Sequence, residues 1–467
     1  MGADVLERYH HIVRYLEALV SLGQPRRQPK AEDERESIGL VRMRRLLAAL
    51  DHPQRDQPVI HVGGTSGKGS VVTHLTRVLH GAGLRVSALL SPHVTTALER
   101  FLYNDRLMDV GAFIAAFDAV RPHIEREYLE GPGGAPSYQE SLFAMLLVAS
   151  RALRVDLCVA EVGLGGRFDS TNVLEKALVT IITDVGLDHV EILGRERVAI
   201  AKDKAGILKP NVLAMTAARF RDALDVITRE AEAVGAPLWR LGREIRVIPE
   251  KKGFVVSCPA GEISGVELPD AASFRQRNAA LIAATCLYLR SQGYSGLNDR
   301  LIRATLKGTF IPGRFESIDL PGGCRLVLDS AHNPDKIDAF CESWRARYGN
   351  ERSAVVVAIP LSKDAHGMLQ RLEEAFDLLY LTRPLRMAHK MRPPHQLREM
   401  LRTRKPVAIH LDPWDGVCEA LERGVRRIAV TGSTYLVGDI RQRFEAERDI
   451  ILRGRPSRLD GGRCPSV

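Results

Sequence analysis

Val59-Ile60-His61-Val62-Gly63-Gly64-Thr65-Ser66-Gly67-Lys68-Gly69-Ser70 is the stretch from which the fold is read. A strand-like run leads into a glycine-rich turn, and residues 71–79 continue with helical periodicity. Glycines let the backbone fold tightly, so that successive N–H groups of Gly64, Thr65, Ser66, Gly67, Lys68, Gly69 and Ser70 converge on phosphate oxygens. The helix N-terminus adds partial positive charge, and Lys68 brings a mobile ammonium. Gly69 follows the lysine, so the long G-x-x-x-x-G-K-[ST] form is matched only loosely. The plain alternative is a glycine turn without a ligand. Strand, glycines, lysine, hydroxyl and helix in the required order favour a phosphate loop.

Outward from this loop, short apolar runs alternate with helical stretches. Strand candidates are 58–62, 85–90, 156–160 and 178–183, and helical periodicity marks 74–81, 110–120 and 141–153. This alternation predicts a mostly parallel, doubly wound α/β sheet in an N-terminal P-loop domain. Ahead of it, 9–22 is amphipathic, 24–37 is a proline-interrupted charged stretch expected as a loop, and 41–50 resumes a helical pattern. Residues 237–267 alternate with period two around Lys251-Lys252-Gly253, which predicts an antiparallel hairpin, and 274–289 returns to helix. After Pro312-Gly313 a second, smaller α/β unit of Rossmann-like type is expected, with strand candidates 325–328, 354–359, 378–381, 408–411 and 427–430. The expected domains are 1–309 and 310–452. The segment 453–467, rich in Arg, Gly and Pro, is expected as a disordered tail.

The 467 residues carry 66 Lys+Arg against 57 Asp+Glu, a formal net charge of +9. With 45% hydrophobic and 26% charged residues, the composition is that of a folded globular protein. Its length implies two or three domains, since single cores stop growing near roughly 250–300 residues. No apolar run approaches the roughly 18–20 residues of a spanning helix, and the N-terminus lacks a cleavable apolar segment. Seven cysteines stand singly with no CxxC pair, which reads as reduced core thiols in a cytoplasmic protein. No RNP-type sequence, zinc finger or Cys/His cluster accompanies the positive charge, so neither a nucleic-acid partner nor a membrane is expected. The surplus fits a solvated basic surface or a field that attracts a small polyanionic substrate.

The loop, in the form H-V-x-G-T-x-G-K-G-S, is followed by further segments in a recognisable order. They are Ser91-Pro92-His93-Val94 with Glu99-Arg100, then Glu161-Val162-Gly163-Leu164-Gly165-Gly166-Arg167 with Asp169 and Thr171-Asn172. Leu187-Asp188-His189, Lys204-Ala205-Gly206-Ile207 and Arg277-Asn278-Ala279-Ala280 come next. Pro312-Gly313-Arg314-Phe315-Glu316, Asp329-Ser330-Ala331-His332-Asn333-Pro334 and Thr431-Gly432-Ser433 complete the series. Together they resemble the Mur ligase superfamily, in its folylpolyglutamate synthase/dihydrofolate synthase branch, from about Tyr9 to Arg441.

The resemblance implies an ATP-dependent ligase that joins a carboxylate to an amine through an acyl phosphate. Such chemistry needs cations and positioned donors more than a covalent nucleophile. By resemblance, Ser70, Ser91, Glu161 and His189 hold Mg2+, one ion or two, bridging the nucleotide phosphates and the acyl group. A monovalent cation such as K+ is a further candidate. Lys204 corresponds to a lysine that the family carbamylates with carbon dioxide, and so becomes a ligand of the second metal; the reaction needs a neutral amine. The alternative for Lys204 is an ordinary phosphate-contacting lysine. Arg314 is assigned to the ATP phosphates, Asn278 to the neighbourhood of the adenine, Asp329 to the ribose, and His332 to the loop over the reacting centre. Lys68, His189, Lys204 and His332 are thus the catalytic candidates. Taken singly, Glu161 also reads as a capped strand-end acid and His189 as a satisfied core histidine.

The chain also departs from the family pattern. Ser66 stands for a usual Asn, Gly63 for a common Ala, and Ser170 for Ala in D-A-T-N. At Ser137-Tyr138-Gln139-Glu140, relatives carry an aromatic directly before the Glu that stacks on a pterin; Gln139 hydrogen-bonds but offers no stacking face. Gln139, Asp169 and Asn172 are the expected substrate contacts. The expected function is addition of L-glutamate to a pteroate or folate carboxylate by a monomer. ATP, the folate or pteroate, and glutamate are its small-molecule partners, and their negative charge would account for the basic surplus. The alternatives are a ligase for another amino acid and carboxylate, a non-catalytic nucleotide- or folate-binding paralogue, and a P-loop phosphotransferase.

Overall fold

Strands such as VIHVG and LCVAE have no polar face, the mark of strands covered on both sides. In the computed structural model of the chain they lie side by side at the centre of a sheet. The structure describes residues 3–22, 32–131, 133–175, 177–269 and 272–459. They form two units: 1–91, 100–268 and 277–309 make the first, and 92–99, 269–276 and 310–467 the second.

The first unit holds β1 (Val59–Gly63), β2 (Val86–Leu89), β3 (Phe101–Tyr103), β4 (Arg106–Leu107), β5 (Leu157–Glu161), β6 (Val179–Ile182), β7 (Leu213–Thr216) and β8 (Leu238–Arg240). Their order is β4-β3-β2-β5-β1-β6-β7-β8. β3 pairs antiparallel with β2 on one side and with the edge strand β4 on the other, and the remaining six strands pair parallel. Side chains alternate across the sheet. Ile60 and Val62 enter a core with Val71, Leu75 and Leu79 of helix Lys68–Gly81 and Leu281 and Leu287 of helix Ser273–Ser291. His61, between them, faces the other side and is fully buried. Helices Val110–Glu130 and Tyr138–Ala152 pack together, and the second of them lies against β2.

The antiparallel hairpin expected around Lys251-Lys252-Gly253 is formed by β9 (Arg246–Pro249) and β10 (Phe254–Cys258), turning at Gly253 with φ +81°, and β11 (Gly261–Val266) adds a third antiparallel strand. β8 does not join them; it extends the large sheet parallel to β7. Helix Glu32–Ala49 begins inside the charged stretch read as a loop, because Glu and Arg sustain a helix without apolar periodicity. The remainder, 24–31, lies outside the described residues.

The second unit holds β12 (Glu316–Leu320), β13 (Cys324–Leu328), β14 (Ser353–Val357), β15 (Leu378–Leu381), β16 (Val407–Ile409) and β17 (Arg427–Thr431), in the order β12-β13-β17-β14-β15-β16. All are parallel except β12. Alternate residues feed cores on its two faces, Ala354 and Val356 on one and Val355 and Val357 on the other. The segment 92–99, inside the stretch assigned by sequence to 1–309, packs here. Val94 joins this core, and a Cβ at Gly438 would lie 2.2 Å from the Val94 carbonyl oxygen. The fully buried Arg441 pairs with Glu316 and Glu445. The stretch expected as a disordered tail, 453–467, is described as far as Leu459. Helix Glu447–Arg453 runs into it, and Ser457 donates its N–H and hydroxyl to Glu445 while its carbonyl accepts from Arg441. Residues 460–467 lie outside the described part. No described helix is long and apolar enough to cross a membrane.

Candidate active site

β1 delivers the glycine-rich loop to the carboxyl end of the first unit's sheet, where β5 and β6 flank it and ligands of open α/β sheets bind. Register sets the loop's path. Gly63 pairs with Ile182, which puts Thr183 beside Gly64; at φ +132°, a Cβ on Gly64 would lie 2.0 Å from Thr183 Oγ1. Thr65 N–H then donates to Asp184 O (2.7 Å), and its hydroxyl bonds Gly186 O and N–H (3.1 and 3.2 Å). Gly67 turns the chain at φ +94° into helix Lys68–Gly81, and a Cβ there would meet Asn278 Oδ1 at 2.5 Å. The first-turn N–H groups of that helix have no intrahelical acceptor, which is the property an anion site needs.

Two lysines converge on one carbonyl at the start of this loop. Lys68 Nζ donates to Gly64 O at 3.0 Å, and the buried Lys204, from helix Arg197–Ala205, donates to the same oxygen at 3.1 Å. Glu161 ends β5 almost fully buried; its Oε2 accepts from Ser91 N–H (3.0 Å) and would lie 3.4 Å from a Cβ on Gly69. Ser70 stands in the first turn of helix Lys68–Gly81, its carbonyl taken by His74 Nδ1. His189 adopts a left-handed conformation (φ 51°) at the start of the short helix Val190–Leu193, with its side chain half exposed and Nε2 4.0 Å from Asp188 Oδ1. It is not a core histidine.

The expected substrate contacts divide. Gln139 Nε2 and Asp169 Oδ2 come together over Gly163, where a Cβ would lie 2.7 and 3.3 Å from them. Gln139 opens helix Tyr138–Ala152, anchored by the Ser137–Glu140 capping box and by the buried, bidentate Arg42–Glu140 pair. Tyr138 has Arg100 over its ring. Asp169 Oδ1 takes the N–H and hydroxyl of Thr171, and Oδ2 the N–H of Leu164. Burial raises its carboxyl above the ordinary range, against these bonds and the charge of Lys68. Asn172 is spent structurally: Nδ2 donates to Arg167 O and Gly206 O, and Oδ1 accepts from Lys209. Its amide thus clamps the 167 loop to the 206 turn.

In the second unit, Asp329 follows β13 and accepts from the N–H of Phe315 and of Ala331. Burial raises its carboxyl, opposed by Arg314 and Arg275. Arg314 also donates to Gly313 O (3.2 Å). His332 Nδ1 lies 2.8 Å from Ser330 O and its Nε2 3.0 Å from Lys336 Nζ, which fixes the neutral tautomer with the proton on Nδ1.

The family description "Mur ligase, glutamate ligase domain" matches residues 313–438. A dihydrofolate synthase/folylpolyglutamate synthase of Bacillus subtilis is 31% identical over 423 residues, spanning 87% of this chain and 95% of that protein. The chain belongs to the dihydrofolate synthase/folylpolyglutamate synthase family. A folylpolyglutamate synthase of Lacticaseibacillus casei is 32% identical over 405 residues, 85% of this chain and 92% of that protein. Mycobacterium tuberculosis folylpolyglutamate synthase, solved with ADP and AMPPCP, matches with a TM-score of 0.83 at 25% identity, over 95% of this chain and 100% of that one.

In this member of the family the loop tolerates Ser66 because its path rests on backbone, bridged from Ser66 to Asp184. Thr183, Asp184 and Gly186 hold the loop and were not read as site residues. Only the β1–β6 register shows them, although they directly precede Leu187-Asp188-His189. Among the described residues, no three His, Cys, Asp or Glu side chains form a metal cluster. The expected set fits magnesium nonetheless. Glu161 and the hydroxyls of Ser70 and Ser91 are hard oxygen donors, few in number, as suits an ion that keeps its waters and takes substrate phosphates.

Proposed function

We propose that this chain is an ATP-dependent carboxylate–amine ligase that adds L-glutamate to a pteroate or folate. The observation that carries the reading is the loop from Gly64 to Ser70, with Lys68 and Lys204 sharing the Gly64 carbonyl and Glu161 buried alongside. Loop N–H groups and Lys68 are assigned to the ATP phosphates, and Asn278, packed on Gly67, to the base end. A carboxylate oxygen of the acceptor attacks the γ-phosphorus, the bond to the β-phosphate oxygen breaks, and ADP leaves. The glutamate amine, having lost its proton, attacks the acyl carbon, and phosphate departs with that carboxylate oxygen. Both steps bring anions together, so preorganised cations and N–H donors do most of the work.

Glu161, Ser70, Ser91 and His189 would hold magnesium, which supplies neutralising charge for the phosphates. Lys204, carbamylated, is assigned to a second ion. In the second unit Arg314 is assigned to phosphate, Asp329 to ribose and His332 to the acyl end. Gln139 and Asp169 are assigned to the acceptor. A role for K+, a monomeric state and a cytoplasmic location belong to the same proposal.

The test is ADP release by purified protein across a panel of carboxylates and amines. Release that requires both L-glutamate and either dihydropteroate or tetrahydrofolate is expected. Release with neither dependence would overturn the acceptor assignment.

A further inference from the structure

His61 is an expensive residue to bury. It sits in the middle of β1, on the face opposite Ile60 and Val62, with no exposed surface. Its Nδ1 has no hydrogen-bond partner. A leucine would fill such a position without leaving a polar atom unsatisfied. Its other nitrogen, Nε2, lies 2.8 Å from Thr171 Oγ1, and that hydroxyl lies 2.5 Å from Asp169 Oδ1. Thr171 has one hydroxyl proton. Asp169 Oδ1 also receives the Thr171 N–H (2.9 Å), so the carboxylate is the acceptor and the proton of Thr171 points to it. The Thr171 oxygen then accepts from His61, whose proton is on Nε2. Burial, helped by the charge of Lys209, lowers the imidazole pKa to about 3, so His61 is neutral throughout the working range.

We infer that His61 is a positioning residue for the acceptor. Through Thr171 it fixes the carboxylate of Asp169, which converges with Gln139 on Gly163. An uncharged donor at the root of the chain polarises the Thr171 hydroxyl and strengthens its bond to Asp169 without adding a further buried charge. The inference rests on the assignment of Asp169 to the acceptor, and the experiment separates the two.

Steady-state ADP release by the full chain is measured against the acceptor, at saturating ATP and glutamate, and separately against ATP. His61→Leu and Thr171→Val should each raise the acceptor KM about tenfold and leave the ATP KM within about twofold, the loss of one buried hydrogen bond. His61→Gln, whose amide can still donate to Thr171, should recover to within about threefold. The double variant should be no worse than Thr171→Val alone, because the chain is already cut. Equal movement of both KM values, a Gln variant as poor as Leu, or additive effects would overturn the inference. If His61→Leu does not fold, an unchanged acceptor KM in Thr171→Val overturns it equally. Asp169→Asn distinguishes the levels: a silent Asp169→Asn removes the acceptor assignment and the inference with it. An impaired Asp169→Asn beside a silent Thr171→Val removes the inference alone.

Discussion

Gly64→Ala is the most informative single change in the glycine-rich loop. The backbone there has φ +132°, a region open to glycine and costing other residues about 1–3 kcal/mol. The new Cβ would also lie 2.0 Å from Thr183 Oγ1 and 3.0 Å from Thr183 N. Thr183 cannot recede freely, since its N–H is bonded to Gly63 O at 2.9 Å. Relieving that contact adds about 1–3 kcal/mol of overpacking strain, for a total near 4 kcal/mol. For a unit of about 300 residues, with an unfolding entropy of about 2.1 cal/mol/K per residue, this lowers the unfolding temperature by about 6 °C. Any shift of the loop also carries away Gly64 O, on which Lys68 and Lys204 meet, so ADP affinity should fall at least about tenfold. Differential scanning calorimetry and ADP titration measure the two effects. Thr183→Ala in the same chain removes the closest contact but not the one to backbone, and should restore about half the lost stability. A Gly64→Ala protein with wild-type unfolding temperature and ADP affinity would refute the loop conformation and the reasoning built on it.

Arg42→Met would leave the buried Glu140 carboxylate with the Ser137 N–H as its remaining bond. It should destabilise the first unit by about 3–5 kcal/mol in thermal melts, with part returned by Glu140→Gln; an unaltered melt would show that the pair is not buried as described. In the second unit, burial pushes Glu99 up to about 7 from 4.5, against the N–H bonds from Val94 and Thr95 and the charge of Arg441. The folded chain therefore holds a proton that the unfolded chain has lost between pH 4.5 and 7. Stability should fall as pH rises through that window, by up to about 3 kcal/mol. Glu99→Gln should flatten this slope in melts run from pH 5 to 8, and an equal slope would count against it. For Lys204, intact-mass spectrometry with bicarbonate should show an added carbon dioxide that Lys204→Ala lacks. An unmodified, fully active lysine would rule out the carbamate.

The parallel sheet and the glycine-rich turn between strand and helix were legible because each rests on local pattern: apolar runs for covered strands, and glycines, lysine and helix in fixed order after β1. What depends on register was not. Thr183 acquires its place beside Gly64 only once Gly63 pairs with Ile182. His61 reads as one more β-strand residue until Thr171 is folded against it. Asn172 stands next to residues assigned to the site, yet packing turns its amide to Arg167, Gly206 and Lys209. The helix beginning at Glu32 was hidden because its first turns carry charge and no apolar stripe. The segment 92–99 joined the second unit through Val94, a partnership between residues more than two hundred positions from that unit's strands.

The central claim is that the acceptor's carboxylate is phosphorylated by ATP before the amide forms. Oxygen-18 placed in that carboxylate follows the bond that breaks. With ATP, L-glutamate and the labelled pteroate or folate, the account predicts one labelled oxygen in the released inorganic phosphate for each amide formed. Amide formation with unlabelled phosphate would contradict it.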